Sequence, residues 1–170
     1  MSELEAYDLA VVVPSGWEGR IFRRAEDGDL RASQVAGAPG PPGERSFPVV
    51  HVASIPLPID IADYGSDVVE DLGASDSLVV LKEFDPAEAV TALFAREGMP
   101  QPIDPEVFDP STLQRRLDGQ AGYQVFFQES GRAFCLYVVL GDYRNRNAVV
   151  PLVNTVLSTL RIGATAEAPP

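Results

Sequence analysis

His51 and Cys135 each occur once in this chain. A Cys-His nucleophile pair, with a thiolate attacking and an imidazole moving the proton, would have to be built from these two. Both fall inside runs of strand-forming residues rather than at loop edges, where catalytic residues gather. They would meet only if the strand carrying His51 lay beside the one carrying Cys135. Cys135 reads more simply as a small buried residue, so a Cys-His hydrolase is the least favoured functional reading. One cysteine also excludes an intramolecular disulfide and any multi-cysteine metal site.

The second constellation is basic. Arg115 and Arg116 precede a candidate hairpin and Arg144 and Arg146 follow it. A hairpin returns its end to its start, which would bring both pairs to one edge, where guanidinium forks suit an anion or an acidic protein surface. These four are the candidate binding residues; the alternative is that they are solubilising charges near a helix end and a loop. The third constellation is acidic. Asp60, Asp63, Asp67, Glu70, Asp71 and Asp76 crowd one stretch but match no calcium-loop spacing, and a solvated acidic face accounts for them. No Walker loop, dinucleotide glycine pattern, zinc motif or nucleophile elbow occurs. We therefore expect no cofactor, no metal and no catalytic residue.

The elements that would position these residues are clearest between Gln120 and Gly141. Two runs of strand formers, Tyr123 to Glu129 and Arg132 to Leu140, flank Ser130 and Gly131, a two-residue loop of hairpin type. Pairing Glu129 with Arg132, a salt bridge at the tip, sets Phe127 opposite Phe134, Val125 opposite Leu136 and Tyr123 opposite Val138 on a core face. The other face, with Gln128 and Ala133, Phe126 and Cys135, Gln124 and Tyr137, is mixed and expected to be partly covered. Next, Val149, Leu152, Val153, Val156, Leu157 and Leu160 recur at helical spacing. Asn145 or Asn147 would cap this helix, and Pro151 belongs in a first turn, so the start is expected near Ala148.

Upstream, Met1 to Asp8 reads as an exposed lead-in and Leu9 to Val13 as the first strand. Pro14, Ser15 and Gly16 then turn the chain into a second strand from Trp17 to Arg23 lying beside the first, with Trp17 as a core anchor. A Gly/Pro-rich loop at about 36–48 carries three collagen-like triplets, too few for a triple helix, and reads as an extended excursion. Val49 to Ile55 is a third strand and Leu78 to Phe84 a fourth, and between these strands Asp67 to Leu72 reads either as a short helix or as a strand. Asp85-Pro86 opens a helix whose stripe is Val90, Leu93 and Phe94, ended by Gly98 and Pro100. Asp109-Pro110 opens a shorter helix through Leu117, and a flexible tail occupies 163–170.

At 170 residues, with 45% hydrophobic and 22% charged side chains, the chain is expected to be a single globular domain. Its net charge of −12 is uneven: Asp60 to Asp109 holds thirteen carboxylates against Lys82 and Arg96. Such a surface disfavours nucleic acid, which needs a basic footprint. No apolar run reaches the length of a membrane span, and Leu9 to Val13 lacks the basic flank of a signal peptide, so a cytoplasmic location without membrane contact is expected.

The strand ending at Pro14-Ser15-Gly16-Trp17, with the closing order of hairpin, amphipathic helix and short strand through Leu160, Arg161 and Ile162, resembles the PsbP-like α/β fold. That family includes extrinsic photosystem subunits, a nuclear-transport accessory protein and small bacterial lipoproteins. The resemblance covers about a third of the chain and maps no functional residue. It implies a central antiparallel sheet with helices on its faces, an α+β fold, and a non-catalytic accessory role. The expected function is an interaction or assembly module binding another protein, with self-association into a homo-oligomer as a variant. The alternative is a small-molecule or anion-binding protein using the four arginines.

Overall fold

The computed structural model describes residues 1–24 and 46–164. The Gly/Pro-rich loop lies almost wholly outside them, as does most of the expected tail. Two antiparallel sheets make an α+β arrangement. The larger, in the order β3-β4-β5-β7-β6, consists of β3 (Glu18–Phe22), β4 (Val49–Ala53), β5 (Ser77–Phe84), β6 (Ala121–Glu129) and β7 (Arg132–Leu140). The smaller has β2 (Leu9–Val13) between β1 (Ser2–Ala6) and β8 (Arg161–Ile162).

The hairpin forms in the register its turn dictates: Glu129 pairs with Arg132, Phe127 with Phe134, Val125 with Leu136 and Tyr123 with Val138. Ser130 and Gly131 both take positive φ, 55° and 74°, the geometry that matches the right-handed twist of the two strands. Two details differ. The strand starts earlier, at Ala121, and Arg132 does not bridge Glu129, because Glu83 from β5 reaches it on the core face with a bidentate carboxylate. Glu129 instead accepts from the Met99 amide at 3.1 Å.

One face of the large sheet presents Val50, Val52, Val79, Leu81, Phe134, Leu136 and Val138 to helix α2 (Arg146–Thr159) and to Leu9, Val11 and Val13 of β2. The helix begins two residues before Ala148. Asn145 stands at its cap position without a capping side-chain bond, and Pro151 lies in the second turn. Its buried stripe contains Val150, whereas Leu152 is 51% exposed, since a stripe that meets both sheets turns toward Val149, Val150 and Val153. Thr159 Oγ1 accepts from the Val12 amide at 3.0 Å, tying the helix end to β2. Asn154 docks the backbone of Ile103, donating to its carbonyl at 2.9 Å and accepting from its amide at 2.8 Å.

Met1 to Asp8 is not a lead-in: its strand β1 pairs with β2 along its whole length. Strands β2 and β3 belong to different sheets, because the Pro14 to Trp17 turn redirects the chain and β3 finds its partner in β4. Trp17 precedes β3 and is partly buried against the core. The stretch open between helix and strand begins within the four-residue helix α1 (Ser66–Val69) and continues past its end without a strand. Asp85-Pro86 opens two 3-10 turns, Pro86–Val90 and Ala92–Phe94, instead of an α-helix. Thr91 between them is extended, with φ −82° and ψ 160°, so of the expected stripe only Phe94 is buried. No helix follows Asp109-Pro110. Asp109 instead pairs with Gly122, where an added Cβ would overlap the Thr112 carbonyl.

The second face of the large sheet is therefore covered mainly by irregular chain and α1, rather than by packed helices. Leu57, Ile61, Val68, Val69 and Leu72 pack on Leu78, Val80, Cys135, Tyr137 and Val139, and Ala89 and Phe94 pack on Ala133 and Phe126. The mixed hairpin face is fully covered along β7, while Gln124, Phe126 and Gln128 on β6 stay half-buried. No described helix is long and apolar enough to cross a membrane.

Candidate functional site

Strand alternation puts Arg20 and Phe22 of β3, His51 of β4, Val80 and Lys82 of β5, and Cys135 and Tyr137 of β7 on this second face. Arg20 pairs with His51, His51 with Val80 and Lys82 with Cys135. His51 and Cys135 thus share a face but stand two strands and two residues apart, roughly 12 Å between Cα atoms from standard strand spacings. They do not meet. Each side chain is fully buried and has its own partners. His51 Nε2 donates to the Asp63 carbonyl at 2.7 Å, while its Nδ1 is buried without a partner. Burial depresses its pKa, outweighing the Asp63 carbonyl and carboxylate, which favour the charged form. Cys135 accepts from Gln124 Nε2 at 3.5 Å and has the Tyr64 hydroxyl as a second polar neighbour. Burial raises its pKa against both contacts, and a buried neutral thiol is not a nucleophile.

Residues 57–64 cross this face as a strap held by side chains of the sheet. Glu18 accepts from the Leu57 amide at 2.8 Å. Arg20 Nη1 donates to the carbonyls of Pro58 and Ile59 at 2.9 and 3.0 Å, and Arg24 Nη2 to that of Ile61 at 3.2 Å. The Asp63 carboxylate sits between Arg24 Nε at 2.8 Å and Lys82 Nζ at 3.0 Å. Burial works against that carboxylate, but the two cations outweigh it and hold its pKa below the usual range. Tyr64 then stacks edge-on against Tyr137, ring centroids 5.6 Å apart. Between the strap and β3 opens a cavity of about 440 Å³ walled by Arg20, Phe22, Arg24 and Ile59, with Asp60 and Asp67 also lining it.

The four expected binding arginines lie elsewhere. Their segments do adjoin, since the Tyr143 amide donates to the Gly119 carbonyl at 2.7 Å. The guanidinium groups of three of them, however, face different acids: Arg115 pairs with Glu70, Arg144 with Asp142 at 2.8 Å and Arg146 with Glu106 at 3.4 Å. Arg146 also lies over the Tyr143 ring, 4.2 Å from its centroid. Arg116 is exposed and lends its charge to Asp109, whose carboxyl is held low chiefly by hydrogen bonds from Ser111. Of the acidic stretch, Asp63, Glu70 and Asp76 are engaged by protein donors. Among the described residues no group of three or more His, Cys, Asp or Glu side chains gathers into a metal site.

Arg20, Arg24, Lys82 and Tyr64 were not among the sequence candidates. The signal for the first two was available: Arg20, Phe22 and Arg24 alternate, so they share a face. Lys82 is one of only two cations in the acidic Asp60 to Asp109 segment and sits in an otherwise apolar strand, which marks it for an ion pair. Comparison with protein-family models, curated proteins and solved structures finds no match to this chain.

Proposed function

We propose that this protein is a non-catalytic accessory module that works in the cytoplasm by binding another protein. The observation that carries the reading is the pair Val90 and Leu93, 91% and 59% exposed, where a helix would have turned its stripe inward. They are presented by a fixed scaffold. Asp85 accepts from the Ala87 amide at 2.9 Å, Phe94 is buried in an aromatic cluster with Phe84 and Phe126, and Arg96 and Gly98 hydrogen-bond the backbone of Gln128 at 2.8 Å each. Asp85, Glu88 and Glu97 outnumber the exposed Arg96 around them in sequence, so the complementary surface is an apolar patch rimmed by lysine and arginine. The order of hairpin, helix α2 and closing strand β8 supports a PsbP-like build for the module.

The test is affinity capture of the tagged protein from its native cell extract, followed by mass spectrometry, comparing the natural chain with a Val90→Ser, Leu93→Ser double variant and with Arg144→Glu. Because both apolar residues are exposed, the double variant should keep its stability within about 0.5 kcal/mol. A partner held by the natural chain and by Arg144→Glu but lost from the double variant is the expected result. Identical recoveries from all three, or nothing beyond controls, would refute the reading; recovery of untagged copies of this chain would make the partner a second copy.

A further inference from the structure

The cavity between β3 and the strap plays no part in protein binding through Val90 and Leu93, and its lining carries both signs of charge. Arg20 and Arg24 each commit part of a guanidinium to strap carbonyls and, for Arg24, to Asp63. A guanidinium has five N–H donors. Those of Arg20 Nε and Nη2 and of Arg24 Nη1 have no acceptor among the described residues. The pinned half of each group fixes the direction of the unpinned half, which is the preorganisation a binding site requires.

Opposite in sign, Asp60 and Asp67 line the same cavity, and neither carboxylate has a hydrogen-bond or ion-pair partner among the described residues. Asp60 is exposed and Asp67 is exposed on the first turn of α1. Phe22 supplies a half-buried ring that packs on His51, centroids 5.1 Å apart, and lies 6.0 Å under the Arg24 guanidinium, and Ile59 stands 90% exposed beside it, an apolar side chain that gains by being covered. A volume of about 440 Å³ lies within the range of small-ligand sites.

A simple anion would meet two carboxylates here and a simple cation two guanidinium groups, each a like-charge repulsion. A ligand that carries an ammonium, a carboxylate and an apolar tail on one carbon satisfies all six side chains. We propose that this cavity binds a free α-amino acid with an apolar side chain, its carboxylate on Arg20 and Arg24, its ammonium on Asp60 and Asp67, and its side chain over Phe22 and Ile59.

Isothermal titration calorimetry of the full chain with L-leucine and L-phenylalanine, against N-acetyl-L-leucine, L-leucinamide and inorganic phosphate, tests this. Saturable heat is expected with the free amino acids, and binding at least about tenfold weaker with each analogue that lacks one charge. An Asp60→Asn, Asp67→Asn double variant leaves every strap contact in place, so its thermal midpoint should be unchanged while amino-acid binding falls by about tenfold or more. No heat and no thermal shift with any apolar amino acid would overturn the proposal. So would equal binding of N-acetyl-leucine or phosphate, or undiminished binding by the double variant. The Val90→Ser, Leu93→Ser variant should bind amino acids as the natural chain does, so this site and the protein-binding surface stand or fall separately.

Discussion

His51 shows how a residue that looks chemical in the sequence can be structural in the fold. Its one hydrogen bond, Nε2 to the Asp63 carbonyl, needs only a neutral ring with the proton on Nε2, and its Nδ1 has no acceptor to receive a second proton's N–H. Burial, with the nearby charges of Arg20 and Arg24, keeps the folded pKa below 6.5 despite the Asp63 contacts. The unfolded chain therefore binds a proton more readily than the folded one. The stabilising contribution is complete above about pH 6.5 and is lost as pH falls from there through the lower folded value. Urea unfolding of the natural chain should show stability dropping between about pH 7 and pH 5, and His51→Gln, which keeps a donor for Asp63, should flatten that slope. An unchanged slope would show that another group titrates. Asp63 does not compete in this window, because its depressed pKa costs stability only below the ordinary carboxylate range. The sequence exposed the uniqueness of His51 and Cys135 but not their separation, since which strands lie side by side is decided by the whole sheet.

At the scale of elements, two hairpin turns contrast. The β6–β7 turn uses Ser130-Gly131, and its register was readable because a two-residue loop leaves one way to pair the strands. The β1–β2 turn uses Tyr7 and Asp8, both at positive φ, 54° and 59°, with neither glycine nor asparagine to ease the conformation. Left-handed geometry at such residues costs on the order of 1 kcal/mol each. Replacing Tyr7 and Asp8 by Asn and Gly, the preferred pair for this turn, should raise stability by about 1 kcal/mol and the thermal midpoint by about 3 °C. A lower midpoint would mean that the Tyr7 ring, 47% exposed, packs more usefully than its exposure indicates. The same poor turn chemistry hid β1 from sequence reading. The Asp85 segment misled in the opposite way: an aspartate cap and a following proline serve a 3-10 turn as well as an α-helix, and extended Thr91 separates the first 3-10 turn from the second, so no continuous helix forms.

For the molecule as a whole, Arg132 joins the two sheets. Its Nε and Nη2 hold Glu83 at 2.8 and 2.7 Å, Nη2 also reaches the Tyr7 carbonyl at 3.1 Å, and Nη1 reaches those of Gly163 and Asp8 at 2.8 and 3.3 Å. All five donors are used, and the strained β1–β2 turn and the chain beyond β8 are clamped to the large sheet. Arg132→Met strands the Glu83 charge in the core and should cost about 3–5 kcal/mol, whereas adding Glu83→Leu should restore much of the loss. What the double variant fails to recover measures the three carbonyl contacts. If it is no more stable than Arg132→Met, the cost lies in the turn and not in the buried charge. No local pattern forecast this clamp, because its partners are as far as 125 residues apart in sequence. Strand β6 carries a last consequence. Its outward backbone is already taken at both ends, by Asp109 on Gly122 and by the Arg96 to Gly98 stretch on Gln128, which leaves only Gln124 and Phe126 facing out between them. Two residues are too short a template for another chain to add a strand, so this border of the sheet is closed to fibril growth unless those flanking segments first peel away.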